Sequence, residues 1–357
     1  MGLKIGIIGL PNVGKSTLFN ALTKSRASAK NFPFCTIKPN IALAPIPDIR
    51  LFKLQNIVKS SSIIPEYIEF IDIAGLVKGA SEGCGLGNQF LSQIRTVDAI
   101  SHVVGCFLKK TDSSKIINDI LNEIHIVHSE LVLSDISRCT EKILFLKKQN
   151  KNNDNKNSII ILESFLEKLL RKKNFNIQNL HKNIISECNF LSLKPKMFIL
   201  NIAKNNLNNN FYINEIKKYF SNFKIPVLKI CAKSEDIFIN SLKKESSKIE
   251  IIPILENSDL GKIINCGCKI LNLNNFFTVG KKEVRSWLIH HNTTALQASG
   301  KIHSDFQKGF IRAKVISFED FIYYKDMQLA KKFGKVRLEG KKYLIKNGDI
   351  IEFLFNI

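Results

Sequence analysis

The residues most able to do chemistry stand near the start of the chain, in Gly9-Leu10-Pro11-Asn12-Val13-Gly14-Lys15-Ser16-Thr17. Two glycines let a backbone wrap until successive N–H groups converge on phosphate oxygens. A lysine placed directly after the second glycine can reach the β- and γ-phosphates, and the Ser16 hydroxyl can join the shell of a Mg²⁺ ion. That chemistry requires a strand before the loop and a helix after it. Both are legible: Leu3 to Ile8 is an apolar run typical of a buried parallel strand, and Leu18, Phe19 and Leu22 share one helical face. The helix would also turn its positive dipole end toward the anion. Asn12, Val13, Gly14, Lys15, Ser16 and Thr17 are therefore the expected nucleotide-binding loop, with Lys15 also catalytic and Ser16 also a metal ligand.

Three further stretches fall in register with that loop. Asn31-Phe32-Pro33-Phe34-Cys35-Thr36-Ile37-Lys38-Pro39-Asn40 reads as an irregular loop around one threonine. Thr36 is the candidate that completes the Mg²⁺ shell and meets the γ-phosphate, and departure of that phosphate would free the loop. Asp72-Ile73-Ala74-Gly75 ends the strand from Ile68 to Ile71, so Asp72 would hold Mg²⁺ through water and the Gly75 N–H would meet the γ-phosphate. The stretch from Leu76 to Leu91 is too dense in glycine for a stable helix and is expected to move until a ligand orders it. The strand from Lys196 to Leu200 ends in Asn201-Ile202-Ala203-Lys204. GTPases place an aspartate at the last of these positions to accept from guanine. Lysine only donates, which argues against guanine by a few kcal/mol, on the order of a lost buried hydrogen bond to a charged group. Asn201, the backbone near Ile202, and Cys231 of Cys231-Ala232-Lys233 are the candidates for holding the base, with ATP favoured and some GTP binding left open.

Elements elsewhere must position these groups. A strand is expected from Ser101 to Phe107, and helices from Ile116 to Lys148 and from Ser158 to Lys172, separated by a polar Asn/Lys linker. His102 sits inside a strand pattern and reads as a core histidine. The helical pair suits either a plain hairpin or a partner-binding arm. After a helix from Ser258 to Leu273 the composition changes to short strands, ending in a hairpin of Lys342 to Ile345 and Ile350 to Phe355 across Asn347-Gly348.

The chain has 357 residues, eight scattered cysteines without a Cys-x-x-Cys pair, and a net charge of +22. No apolar run is long enough to span a bilayer, and strand and phosphate loop begin where a targeting peptide would stand. The cysteines read as free thiols without zinc. The basic balance points to a polyanion such as RNA, or equally to a compositional drift that fills variable stretches with Lys and Asn.

The motifs Gly-Leu-Pro-Asn-Val-Gly-Lys-Ser, Asn-Phe-Pro-Phe-Cys-Thr-Ile-x-Pro-Asn and Asp-Ile-Ala-Gly-Leu-Val-Lys-Gly-Ala-Ser-x-Gly-x-Gly-Leu-Gly-Asn-Gln-Phe-Leu resemble the Obg-like ATPases, in particular their YchF branch. The resemblance covers nearly the whole chain. It implies an α/β P-loop NTPase with a mostly parallel sheet, spanning 1–273 and carrying a helical insertion at about 116–190. A C-terminal β-grasp module of the TGS type, 274–357, would follow. It also implies an Mg²⁺-dependent ATPase that works as a translation switch with the ribosome, meeting it on the large-subunit side or through ribosomal RNA. A cytoplasmic monomer is expected, with Asn12 matching the residue that holds K⁺ in potassium-stimulated relatives. Lys301, His303, Lys308, Arg312 and Lys314 would line an RNA-facing surface.

Two departures bear on catalysis. Leu76 stands where Ras-like GTPases have a water-orienting glutamine, and Leu108 to Lys115 lacks the histidine that family members carry in a longer loop. Slow intrinsic hydrolysis is therefore expected. Two other classes remain in view: a nucleotide-gated RNA-binding adaptor with incidental hydrolysis, and a GTPase of ribosome assembly, the latter opposed chiefly by Lys204.

Overall fold

The computed structural model describes residues 3–25, 40–73, 85–107, 113–149, 153–171, 187–204, 211–245 and 251–356. They form two compact units, one built from 1–23, 36–42 and 69–237, the other from 24–35, 43–68 and 238–357.

The first unit grows from β1 (Lys4–Ile8), whose isoleucines are almost wholly buried. Such a strand must be covered on both faces and paired on both edges, the usual situation of a parallel sheet. It pairs in parallel with β4 (Tyr67–Asp72) and β5 (Ala99–Cys106). β5 in turn pairs in parallel with β6 (Lys196–Ile202), and β6 with β7 (Val227–Ile230). With β2 (Ile41–Pro45) the order is β2-β4-β1-β5-β6-β7. The register sets Ile7 beside Asp72, Ile8 beside His102, Gly105 beside Asn201 and Asn201 beside Ile230. The chemistry-bearing residues thus gather at the carboxyl ends of the strands, the usual place for a ligand in an open α/β sheet.

Helix α1 (Lys15–Lys24) buries Leu18, Ala21 and Leu22. The 36 residues of α4 (Ser113–Lys148) would run about 54 Å at the ordinary rise per residue. Their first half packs Ile120 and Ile124 with Val104, Phe198 and Leu200 of the sheet. The second half pairs with α5 (Asn153–Leu170), packing Cys139, Ile143 and Leu146 with Ile159, Leu162 and Phe165. The second helix therefore starts at Asn153, five residues before the expected Ser158. Asn and Asp are weak helix formers in a helix interior, yet from Asn153 the polar stretch is the first turn of the second helix rather than part of a linker.

Between α4 and the sheet lies a cavity of about 10 Å³, room for about one water, lined by His102, His128, Lys196 and apolar side chains. His102 is a buried core residue as expected, though its Nε2 has no hydrogen-bond partner among the described residues. Burial, then the charges of Lys196 and Lys15, push its pKa down to about 3, from 6.5. The unfolded chain therefore takes up a proton that the folded chain refuses. The neutral imidazole's stabilising contribution is complete above pH 6.5 and disappears as pH falls toward about 3. Exchanging His102 for leucine is expected to raise stability relative to the parent progressively across that window, by up to about 1.4 kcal/mol per pH unit. Urea midpoints of both proteins along a pH series check this; parallel profiles would contradict it.

In the second unit, β8 (Leu273–Val279) pairs antiparallel with β9 (Glu283–His290), which pairs in parallel with β3 (Ser62–Ile64). Beyond β8 come β12 (Ile350–Phe355), β10 (Phe310–Ile316) and β11 (Arg337–Glu339), giving β11-β10-β12-β8-β9-β3. Phe276, Trp287, Ile289 and Phe353 pack on one side with Ala295 and Ala298 of α10 (Ala295–Ile302). Phe277, Val284, Ile316 and Ile350 pack with Leu51 and Leu54 of α2 (Ile49–Val58). The compact units therefore do not divide at a single cut near 273. Helix α2, strand β3 and helix α9 (Asp259–Ile270) group with the C-terminal sheet, although the sequence pattern assigns α9 to the nucleotide domain.

The expected terminal hairpin does not form. Both edges of β12 are taken, by β10 and by β8, so 342–345 has no edge to pair with. Those residues bond elsewhere: Ala295 N–H donates to Tyr343 O, and Ile345 N–H to Thr293 O. Asn347-Gly348 still turns, with Gly348 at φ +94° and the Lys346 N–H donating to Asp349 Oδ2.

Among the described residues six cysteines are free and buried, Cys266 and Cys268 on α9 included, and no group of side chains is arranged to hold a metal in a cysteine–histidine cluster. Among them, too, no helix is long and apolar enough to cross a membrane.

Candidate nucleotide site

β1 ends at Ile8 and α1 begins at Lys15, so the loop between them must reverse within a few residues. It does so through positive φ at Gly9 (150°), Asn12 (63°) and Gly14 (93°). A Cβ at Gly9 would lie 2.3 Å from the Val103 carbonyl oxygen of β5. At Gly14 it would lie 2.1 Å from Asn201 Nδ2. Both glycines are required by close packing and by their backbone angles.

Lys15 is only 8% exposed, although it opens a helix. Its Nζ donates to the Leu10 carbonyl at 2.8 Å, folding the cation over the loop. Burial lowers its pKa, while Asp72 and then Glu123 act in the opposite direction. Asp72, at the end of the neighbouring strand, carries the complementary strain. Burial raises its pKa against the pull of Lys15, and its buried Oδ1 has no hydrogen-bond partner among the described residues. A carboxylate oxygen left unpaired beside one cation suits a further cation. Ser16 presents an exposed hydroxyl in the first turn of α1, Thr17 is half-buried, and Val13 is buried with its carbonyl turned to Asn201. Asp72 and Ser16 thus fit an Mg²⁺ site. Thr36, Gly75, Leu76 and the glycine-dense stretch up to Cys84 lie outside the described residues, as does most of the loop from Leu108. The end of the glycine-dense stretch is helical after all: Gly85–Arg95 forms a helix because Phe90, Leu91 and Ile94 bury one face in the core.

The expected base-binding residues serve the fold first. Asn201 is buried; its Nδ2 donates to Val13 O at 2.9 Å and its Oδ1 accepts from Ala232 N–H at 3.1 Å. It is a strut between the phosphate loop and the loop after β7. Ile202 and Cys231 turn their side chains into the core beneath the sheet, so only their backbones can face a base. The Cys231 thiol stands 3.0 Å from Ser234 Oγ. Lys204 is exposed.

Two residues enter the site that the motifs do not single out. Phe107, just past β5, is 52% exposed and comes within 3.9 Å of the point where a Cβ on Gly14 would stand. Its signal in the sequence is a large aromatic at the carboxyl end of a central strand. Glu123 accepts from the Gly105 N–H, and burial raises its pKa to about 7 despite Lys15. It interrupts the apolar stripe of α4 beside Ile124, and its buried Oε1 lacks a partner among the described residues. The arrangement as a whole can neutralise and orient a phosphate chain, with no nucleophile of its own.

Comparison with known proteins agrees with this geometry. The family described as "50S ribosome-binding GTPase" matches residues 4–164, and YchF-GTPase_C, described as "Protein of unknown function (DUF933)", matches residues 273–356. The "Ribosome-binding ATPase YchF" of Escherichia coli O157:H7 is 46% identical over 367 residues, covering both chains fully. That of Buchnera aphidicola from Schizaphis graminum is 48% identical over 366 residues, again with full coverage of both. The structure of the Schizosaccharomyces pombe YchF GTPase superposes with a TM-score of 0.84 at 33% identity, covering 99% of this chain and 98% of that one. A GTP-binding protein from Pyrococcus horikoshii shares the fold at TM-score 0.57 and 16% identity.

Proposed function

The chain belongs to the YchF family, and from that premise we propose that it is a nucleoside-triphosphate hydrolase that prefers ATP and associates with the ribosome, acting in translation as a nucleotide-dependent switch. The observation that carries this reading is the curled loop over Lys15 with the unpaired Asp72 oxygen one strand away. Lys15 and the loop N–H groups neutralise the triphosphate, and Asn201 holds the loop in shape. Asp72, Ser16 and Thr36 would hold Mg²⁺, which when bound supplies charge neutralisation between the β- and γ-phosphates. Gly75 would donate its N–H to the γ-phosphate. Asn12, exposed and with a left-handed backbone, is the proposed K⁺ contact.

Relatives carry both ATPase and GTPase in their names, so the base is decided here by chemistry. The lysine at 204 has no acceptor to offer guanine, and adenine would be met by backbone groups at the strand end near Ile202, since the Cys231 carbonyl already accepts from the Glu235 N–H. Phe107 offers an exposed ring against which a base can pack. The partner is proposed to be the ribosome's large-subunit side or its RNA, and the protein a cytoplasmic monomer.

Titrating ATP against GTP with magnesium, then adding ribosomes to the same turnover assay, tests the reading. Expected are tighter uptake of ATP, slow turnover alone and faster turnover with ribosomes. A preference for GTP would move the chain to the GTPases of ribosome assembly. Nucleotide-dependent ribosome binding with unchanged turnover would make it an adaptor.

A further inference from the structure

In the C-terminal unit, α12 (Phe318–Tyr324) and α13 (Met327–Lys332) are held to the sheet from one side only. Phe321 and Ala330 are buried against Phe277, Ile316 and Ile350. Half-buried Tyr324 also packs on that core, and two further rings reach outward from it. Tyr323 and Tyr324 meet edge-on at 4.9 Å, and Tyr324 stacks on Phe333 at 5.1 Å with 25° between the planes. Tyr323 is 79% exposed and Phe333 62%. Large rings this open cost solvation and contribute little to the core, so the fold does not account for them.

Lysines interleave with the rings. Lys325, in the left-handed turn between the helices, and Lys331 and Lys332 at the end of α13 are exposed and have no carboxylate within ion-pair distance among the described residues. Carboxylates nearby are mostly committed: Asp320 to Lys335 and Ser317, Asp326 to capping α13. On the surface foreseen from sequence, Lys314 pairs with Glu352 at 3.0 Å and His303 caps α11 (Ser304–Lys308), while Lys301, Lys308 and Arg312 are exposed.

We propose that the α12–α13 face is a binding surface for unpaired RNA, with Tyr323 and Phe333 stacking on bases and Lys325, Lys331 and Lys332 meeting the phosphates. This rests on the ribosome-associated reading above and specifies which chemistry of the ribosome the C-terminal unit meets. Exposed rings set among cations suit single strands, whose bases have free faces, and duplexes offer none. A protein partner would be expected to want the rings without so many unpaired lysines.

The test uses the full-length chain and fluorescence anisotropy of a short labelled oligouridine. Tyr323→Ala and Phe333→Ala are each expected to weaken binding about tenfold, as removing one stacked base does. Lys331→Glu with Lys332→Glu should weaken it further and flatten its dependence on salt. A matching RNA duplex should bind no better to the parent than to the ring variants. Thermal midpoints confirm that the variants fold, and ATP uptake should stay at the parent's level because the site lies in the other unit. If oligouridine binds all variants like the parent, the proposal is wrong, and undiminished ribosome pelleting would then leave the broader reading standing. If ribosome pelleting falls while oligouridine binding holds, the surface meets protein and the proposal is equally wrong.

Discussion

Replacing Lys15 with alanine is expected to weaken uptake of ATP severely while leaving the apo protein at least as stable as the parent. The first half follows from what the cation does. A buried charge that meets a polyanion loses, on truncation, about 2–5 kcal/mol, or roughly 30- to 5000-fold in affinity. The second half follows from what it costs. Lys15 is buried, its pKa is lowered chiefly by desolvation, and its ammonium's one hydrogen bond among the described residues is to the carbonyl of its own loop. Removing it relieves that burial, although Asp72 loses its nearest countercharge. Titration with a fluorescent ATP analogue and a thermal midpoint from the same preparation measure both. Unchanged uptake would dismiss the phosphate site, and a collapse of apo stability would make the lysine a structural residue.

Asn201→Ala is expected to behave in the opposite way, damaging stability and binding together. Its amide joins Val13 O to Ala232 N–H, and alanine leaves both groups buried without partners. At about 1–3 kcal/mol for each orphaned group the loss is about 2–6 kcal/mol in total, visible as a lower urea midpoint before any nucleotide is added. Asn201→Asp keeps the acceptor for Ala232 but sets an oxygen against the Val13 carbonyl, so it should rescue little. An alanine variant with full apo stability and weakened ATP uptake would instead mean that Asn201 acts only on the base.

Local sequence determined the phosphate site. Gly9, Gly14 and Lys15 act through backbone angles and a reach of a few bonds, and an isoleucine-rich strand and a leucine-faced helix around them dictate the curl. Asp72 was legible because a parallel strand brings its last residue to the same edge as the loop. The role of Asn201 was not, because its partners lie 188 and 31 residues away in sequence, and only the register of β5, β6 and β7 brings them within a hydrogen bond. Glu123 and Phe107 likewise became site residues only when α4 and β5 were packed against the loop. Tertiary structure also decided that Ser62–Ile64 joins the C-terminal sheet and that 342–345 forms no hairpin there. The reason is the same in each case. A strand's pattern says that it needs neighbours, and edges already occupied elsewhere in the chain decide which neighbours it gets.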